Sequence, residues 1–344
     1  MPNDTYLSWV IRNTRTRWWH DSADPAELQL GLERGAVGVT TNPYLSNLAA
    51  AKNRKAWAGE IDEVLSRKLP AEAKAEALMR IAVTRAAAKL VPAFEQSGGA
   101  MGYVCAQVNP SRAGDREAMA AMARRFHAWA PNIAVKLPAT AAGLEVLEDC
   151  VAQGITATAT VSFTLPQVVA VAQQCRRGVE RARATGVKPG KCFAVIMIGR
   201  LDDYLREVAH DSEAGLSETD IRQAGLAVTK RAYRLYQERG YEAVLLVAAL
   251  RGDYHLTELA GADLVMSIAP AYQHVFVSQD FAREERIEKE IPRDVLDRLR
   301  RLPEFVRAYE PDGMAPQEFI ACGVTQRTLS QFIEAGWRLL ESFQ

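Results

Sequence analysis

One lysine is placed where it could serve as a nucleophile. Residues 132–140 are NIAVKLPAT, so Lys136 lies near the end of an apolar stretch and just before a proline-containing loop. In a parallel barrel the carboxyl ends of the strands face the active site. Apolar surroundings there would favour the neutral amine, which attacks carbonyl carbons. The alternative for this position is a lysine whose ammonium simply reaches solvent at the end of the strand.

Two further stretches end in polar side chains. Asp21 ends the apolar run at 18–21, where a carboxylate could exchange a proton with a substrate hydroxyl. Thr40–Pro43 (TTNP) follows another strand-like run, and Pro43 restricts Asn42 to an extended conformation. The Asn42 amide could bind a sugar hydroxyl, although an ordinary Asn-Pro turn explains the same residues.

Two residues close to Asp21 are given structural roles. Asp24 directly precedes Pro25, and an Asp followed by a proline at the first helical position is typical of a helix N-cap. His20 alternates with Asp21 along the strand, so we expect its side chain to point away from the barrel axis.

Two arginines follow strand-like runs late in the chain. Arg200 lies in IGRLDD (198–203) and Arg251 in AALRGD (248–253). An arginine at the end of a strand can clamp a phosphate through two parallel hydrogen bonds. Each one alone is typical of a surface ion pair, but two on neighbouring strands favour an anion site.

Composition argues against several classes of function. The 344 residues include 42 basic and 42 acidic side chains, and a net charge of zero disfavours nucleic acid or a membrane surface as partner. The five cysteines form no CxxC pair and the histidines no paired spacing, which predicts free thiols in a reducing compartment and no metal site. The absence of a Walker-type or GxGxxG loop predicts no nucleotide cofactor. The beginning of the sequence does not resemble a signal peptide and no apolar run could cross a bilayer, so we expect a cytoplasmic protein.

Short apolar runs alternate with stretches of helical spacing over most of the chain. This alternation predicts βα units with parallel strands, and eight strands are the natural number for a closed barrel, although an open doubly wound sheet has the same pattern. The eight predicted strands are Trp18–Asp21, Ala36–Thr41, Met101–Val108, Ile133–Leu137, Thr156–Val161, Cys192–Ile198, Ala243–Val247 and Leu264–Ser267.

Two regions exceed a minimal barrel. Asn47–Ser97 is rich in Ala, Lys and Glu and predicts two or three helices, and about residues 283–344 predict a helical C-terminal extension. No Ser/Gly-rich linker separates them. The expected fold is therefore α/β, a (β/α)₈ TIM barrel with helices added after strand two and at the C-terminus, in one domain over residues 1–344.

The order of the motifs along the chain resembles the transaldolase family. The match runs roughly from Trp18 to Phe276: Asp21, TTNP at 40–43, VKLPAT with Lys136, Gly154-Ile155 leading to Thr160, Gly199-Arg200-Leu-Asp, the turn at Arg251, and SIAP at 267–270. The resemblance implies an enzyme that needs no cofactor, because the protonated imine formed on a lysine itself stabilises the carbanion.

The resemblance also implies a role for individual residues. Lys136 would form the Schiff base, Asp21 would act as acid and base during carbon–carbon bond cleavage, and Thr160 would help to position the catalytic water. The substrate would be bound by Asn42, at its dihydroxyacetone unit, and by the remaining predicted ligands Thr41, Asn109, Met197, Arg200 and Arg251, the two arginines holding the sugar phosphate.

The sequence departs from the family pattern at three positions. Gln107 replaces a strand-three glutamate, and an amide can hold a water but cannot take its proton. The related fructose-6-phosphate aldolases carry Gln there. Met197 stands where those aldolases have Tyr, and Ala249 replaces a phosphate-binding serine.

The prediction is a transferase that moves a dihydroxyacetone unit from a ketose or ketose phosphate to an aldose, as in the pentose phosphate pathway. The alternatives are a Schiff-base aldolase similar to fructose-6-phosphate aldolase, favoured by Gln107, and a sugar-binding relative with impaired catalysis. The expected partner is a small sugar or sugar phosphate. The resemblance makes a homodimer plausible.

Overall fold

Eight parallel strands form a closed barrel in the computed structural model, which describes residues 4–344. Each strand pairs with the next along the chain, and β1 pairs with β8 to close the ring. The predicted (β/α)₈ barrel is therefore confirmed. The strands are β1 Arg17–His20, β2 Gly38–Val39, β3 Tyr103–Gln107, β4 Ile133–Pro138, β5 Ala157–Thr160, β6 Cys192–Met197, β7 Val244–Ala248 and β8 Val265–Ile268.

The strands are short apolar runs because helices cover the barrel on the outside. Every residue of β3, β4, β5, β6 and β8 is buried. The second strand is shorter than the predicted Ala36–Thr41. Its two residues include Gly38, where a Cβ atom would lie 2.5 Å from the Trp19 indole, so only glycine fits beneath that ring. The ladder nevertheless continues on both sides, because the backbone N–H groups of Val37 and Thr40 donate to β1.

Helices connect the strands and extend beyond them. The region after β2 contains α3, α4 and α5, in agreement with the helices predicted for 47–97. The helices are α1 Tyr6–Asn13, α2 Pro25–Glu33, α3 Pro43–Lys52, α4 Ala58–Ser66, α5 Ala71–Gln96, α6 Arg116–His127, α7 Ala141–Ala152, α8 Leu165–Ala184, α9 Ile198–Asp211, α10 Glu218–Arg239, α11 Tyr254–Thr257, α12 Pro270–Ser278, α13 Arg293–Leu299, α14 Pro303–Tyr309, α15 Gly323–Phe332 and α16 Arg338–Glu341. Over residues 4–344, none of these helices has the length and apolar character that a bilayer crossing would demand.

The helix start predicted at Asp24 is confirmed. Its Oδ1 atom accepts hydrogen bonds from the backbone N–H groups of Ala26 and Glu27, both at 3.1 Å, and Pro25 is the first residue of α2. His20 points outward as expected, since its Nδ1 atom lies 2.8 Å from the Gln273 amide on α12.

The C-terminal segment is helical, as predicted, and returns to the barrel mouth. Arg298 on α13 binds Asp220 on α10 at 2.8 Å, which fastens this segment to the barrel. A π-helical turn, Ile333–Trp337, links α15 to α16 and packs on the start of α3. Gly336 lies so close there that a Cβ atom would be 2.6 Å from the Tyr44 backbone nitrogen. That the whole chain is a single domain stays a prediction.

Candidate active site

A cavity of about 300 Å³ opens at the carboxyl ends of the strands. It brings together six residues that the sequence predicts for the site: Asp21, Asn42, Lys136, Met197, Arg200 and Arg251. They come from five different strand ends and from α9. The cavity also has apolar walls, as expected of a site that excludes water from a small ligand.

Lys136 is buried in the wall of this cavity. Only 6% of the residue is exposed, and it is held in register between Gln107 on β3 and Thr158 on β5. Its Nζ atom donates one hydrogen bond, at 3.2 Å, to the carbonyl of Thr41. Within residues 4–344 no carboxylate lies within 4.0 Å of Nζ, so the amine is not held in an ion pair. A buried amine without a carboxylate partner is suited to attack a carbonyl carbon.

The Asp21 carboxylate is fixed by two hydroxyl groups. Thr40 donates to Asp21 Oδ1 at 2.6 Å, and the Thr40 hydroxyl lies 2.6 Å from that of Ser267 on β8. Because Thr40 gives its single proton to Asp21, Ser267 must be the donor in the second bond. The hydroxyls orient the carboxylate at the cavity without neutralising it, so it can exchange a proton with a ligand hydroxyl.

Asn42 is both a helix cap and a cavity residue. Its Oδ1 atom accepts the backbone N–H of Leu45 at 2.9 Å, which caps α3 at the end that begins with Pro43. The amide NH₂ group is then the part of the side chain that can donate to a ligand. The helix cap and the binding group predicted at this position are therefore compatible.

Arg200 lies on the first turn of α9, directly after β6. Its Nη1 atom is 2.5 Å from Gln331 Oε1, and its guanidinium lies 5.3 Å from the ring centroid of Phe332. The Nε atom is buried and has no hydrogen-bond partner among residues 4–344. Burial, with a smaller effect of Arg251, lowers the pKa of Arg200 to about 10. An unsatisfied cationic donor in a cavity is suited to an anionic ligand.

Arg251 is held by its own turn and by α9. Its Nε atom donates to Asp203 Oδ2 at 2.8 Å, and Nη1 donates to the carbonyl of Ala249 at 2.9 Å. Asp253, which the sequence places close to this arginine, makes no side-chain cap bond to α11. The carboxylate that contacts Arg251 is instead Asp203.

Two residues at this end of the barrel adopt the left-handed conformation without being glycine. Val161 follows β5 with φ +53°, and Ala249 follows β7 with φ +59°. Each costs about 1–2 kcal/mol relative to an ordinary conformation. Such outliers persist where surrounding contacts over-determine the backbone, often at functional sites.

The other four predicted residues do not line the cavity. Gln107 is buried beside Lys136, and its Oε1 atom has no partner among residues 4–344, so it retains the capacity to accept a hydrogen bond. The Thr160 hydroxyl donates weakly to the Met197 sulfur at 3.9 Å. Thr41 donates to the carbonyl of Cys105 at 2.6 Å.

Asn109 is engaged away from the cavity. Its Nδ2 atom donates to Glu72 at 2.7 Å, and its Oδ1 atom accepts the backbone N–H of Ser111 at 2.9 Å. It thereby caps the 3₁₀ turn Pro110–Arg112. The amide predicted to bind substrate has a local structural role.

Several lining residues were not predicted from the sequence. Tyr44 and Tyr272 follow strands β2 and β8 but lack the charged or amide groups that drew attention to their neighbours. Gln331, Phe332 and Ala335 come from the C-terminal segment, which no strand-end pattern connects to the barrel. No pattern in the sequence indicates that the C-terminal segment folds back onto the barrel mouth.

The chain is similar to one protein family and to several individual proteins. The family model described as Transaldolase/Fructose-6-phosphate aldolase matches residues 18–315. The relatives include Transaldolase 1 of Streptomyces avermitilis, 31% identical over 61% of this chain and 56% of the relative. A transaldolase of Thiobacillus denitrificans is 30% identical over 67% of this chain and 65% of the relative. One of Mycolicibacterium paratuberculosis is 32% identical over 63% and 59%. The chain thus spans less than two thirds of the length of these relatives.

Proposed function

The chain belongs to the transaldolase/fructose-6-phosphate aldolase family, and from that premise we propose that it transfers a dihydroxyacetone unit from a ketose or ketose phosphate to an aldose. The observation that carries the proposal is Lys136, a buried amine with no carboxylate partner in the described range 4–344, in one cavity with Asp21 and Asn42. Gln107 and Thr160 lie on the strands that flank Lys136.

The residues have defined roles in this reaction. The Lys136 amine adds to the ketose C2 carbonyl, and loss of water gives a protonated imine. Asp21 takes the proton of the C4 hydroxyl as the C3–C4 bond breaks, and the bonding electrons flow into the imine to form an enamine. The released product is the aldehyde that consists of C4 and the carbons beyond it.

The second half of the reaction reverses these steps on a new acceptor. The enamine carbon attacks the acceptor aldehyde, Asp21 returns its proton to the new alkoxide, and water then hydrolyses the imine. We propose that Gln107 and Thr160 orient this water and that Asn42 holds the dihydroxyacetone hydroxyls. Arg200 and Arg251 would bind the anionic end of a phosphorylated sugar.

An aldolase that releases or uses free dihydroxyacetone is the second candidate. The observation in its favour is Gln107, whose amide cannot take a proton from water. Homodimer formation, a cytoplasmic location and a place in the pentose phosphate pathway remain predictions.

Borohydride trapping tests the proposal directly. The protein is incubated with fructose 6-phosphate or dihydroxyacetone and reduced, and the adduct is mapped by peptide mass spectrometry. We expect an adduct on Lys136 and no turnover in Lys136→Met. Lys230 is a matched internal control, since it is equally buried but donates to the carbonyls of Arg286 and Lys289; it should remain unmodified.

Three outcomes separate the candidates. Transfer of the trapped unit to an aldose acceptor supports the transferase, whereas cleavage without transfer supports the aldolase. Turnover that survives in Lys136→Met, or an adduct that maps elsewhere, would contradict the Schiff-base assignment.

A further inference from the structure

A fully buried acid–imidazole pair lies directly behind the cavity wall. Asp202 on α9 and His255 on α11 are each 0% exposed, and His255 Nε2 is 3.0 Å from Asp202 Oδ2. A buried ionisable pair is costly unless its geometry is good and its other polar atoms are satisfied. Backbone N–H groups satisfy the other polar atoms of this pair, Asp202 Oδ1 and His255 Nδ1.

The hydrogen bonds of His255 define which ring nitrogen carries the proton. Its Nδ1 atom accepts the backbone N–H of Arg251 at 3.1 Å, so Nδ1 has no proton. In the neutral ring the proton is therefore on Nε2, which donates to Asp202. Asp202 is itself fixed by the backbone N–H of Gly225, which donates to Oδ1 at 2.8 Å. A continuous chain of directional bonds thus connects α10 to the backbone of Arg251.

The turn that carries Arg251 is strained and closely packed. Ala249 has a left-handed backbone, and a Cβ atom at Gly199 would lie 2.4 Å from both the Ala249 carbonyl oxygen and Arg251 Cγ. The hydrogen bond to His255 holds this turn at the backbone N–H of Arg251. The side chain is held separately, by Asp203. Two consecutive carboxylates of α9 therefore fix Arg251, one through its backbone and one at its guanidinium.

We propose that Asp202 and His255 are positioning residues that set the Arg251 guanidinium for the phosphate end of a phosphorylated sugar. This rests on the proposed function, in which Arg251 contacts that end of the substrate. Neither residue lines the cavity, so neither would contact the reacting atoms.

Two variants of the pair test this inference. His255→Leu removes both ring nitrogens, and Asp202→Asn leaves an amide that cannot accept from Gly225 and His255 at once. We expect each to raise KM for fructose 6-phosphate about tenfold or more, the effect of losing one buried hydrogen bond. The kcat and the dihydroxyacetone adduct on Lys136 should be unchanged. His255→Gln, which can both accept and donate, should restore KM to within about threefold of the original value.

Thr229→Val is the matched control for general damage. Thr229 is equally buried on α10 and donates to the Gly225 carbonyl at 2.8 Å, but no hydrogen bond within residues 4–344 joins its hydroxyl to Asp202, His255 or Arg251. Its variant should change thermal stability without any selective effect on the phosphorylated sugar. Adding His255→Leu to Arg251→Ala should raise KM no further, because the pair acts through that arginine.

The outcomes distinguish this inference from the function on which it rests. If the unmodified protein forms no adduct with any ketose, the proposed function fails. If the adduct forms but His255→Leu and Asp202→Asn affect phosphorylated and unphosphorylated ketoses equally, the positioning role is overturned. The positioning role is also overturned if the effects of His255→Leu and Arg251→Ala on KM are additive in the double variant.

Discussion

At the scale of single residues, the cationic side chains of the cavity are held in opposite ways. In the part of the chain that the structure describes, Lys136 has one carbonyl partner and no carboxylate, whereas Arg251 is bound to Asp203 and to its own turn. An amine must be able to lose its proton and form a bond, while a binding arginine gains from being pre-oriented. Under the proposed function, Lys136 thus forms the bond to the substrate while Arg251 orients it.

Gln107→Glu tests whether a missing carboxylate limits the reaction. The Gln107 Oε1 atom is buried beside Lys136 and has no hydrogen-bond partner from residue 4 onward, so a carboxylate there could take a proton from water during imine hydrolysis. We expect the rate of transfer to rise about tenfold or more, measured as product formed per enzyme with a fixed donor and acceptor. Gln107→Met, which has similar volume and no hydrogen-bonding amide, serves as control and should lower the rate. A fall in the Gln107→Glu variant would indicate that the amide is adapted to its own substrate.

The sequence was informative wherever a residue's role follows from its place at a strand end. Asp21, Asn42 and Lys136 were predicted because each ends an apolar run. His255 was not, since nothing in its neighbours along the chain indicates Asp202, more than fifty positions earlier. Asn109 was predicted by analogy, but its amide is bound locally by Glu72, a residue of a helix whose position no strand pattern specifies.

At the scale of elements, the C-terminal segment completes the cavity. Gln331 and Phe332 at the end of α15 contact Arg200, and the π-helical turn that follows packs against the start of α3. That same start of α3 is capped by Asn42. The position of Asn42, a proposed substrate-binding residue, thus depends on a segment almost three hundred residues later in the chain.

Gly336→Ala tests this dependence. A Cβ atom there would lie 2.6 Å from the Tyr44 nitrogen and 3.0 Å from the Pro43 carbonyl carbon, so one backbone must move. We expect KM for the ketose donor to rise about threefold or more. The free energy of unfolding should fall by less than about 3 kcal/mol. Gly59→Ala on α4 is the control, since its added methyl meets nothing within 4 Å; it should leave KM unchanged and add up to about 1 kcal/mol of stability. Equal KM values for the two variants would refute the coupling.

Element boundaries illustrate what a pattern cannot determine. The predicted second strand, Ala36–Thr41, contains the observed Gly38–Val39 but overstates it, since apolar and β-branched residues continue on both sides of the two-residue strand. The helices after β2 were predicted from composition and spacing. Their packing was not, because contacts such as Gly336 on Tyr44 depend on three-dimensional distances.

At the scale of the whole molecule, ion pairs and caps attach the outer helices to the barrel. Asp220 takes part in a cap and in an ion pair. It forms a capping box with Ser217 at the start of α10, and it binds Arg298 on α13. Arg298, and then Ser217, hold the pKa of the Asp220 carboxyl below its ordinary value of 3.8. The folded state therefore favours the ionised carboxylate more than the unfolded chain does.

This pKa shift predicts how stability depends on pH. The contribution of Asp220 is fully present above its ordinary pKa and is lost as pH falls through the lower, folded value. Thermal unfolding followed between about pH 7 and pH 2.5 should show a steeper decline below about pH 4 for the unmodified protein than for Asp220→Asn. Asp297→Asn on α13, which removes only an exposed pair with Arg300, should retain the original slope. Identical slopes for all three proteins would show that Asp220 does not contribute to the loss of stability at low pH.

Two separate parts of the chain form the cavity. Lys136 lies on an inner strand, whereas Gln331–Ala335 lie on α15 and the π-helical turn that follows it. Mutations in the final fifteen residues can reshape one wall of the cavity while the strand ladder keeps the amine in register. One wall of the cavity can therefore change in shape without any change in the strand that carries Lys136. Libraries at residues 331–335 would accordingly vary this wall while leaving Lys136 in its strand.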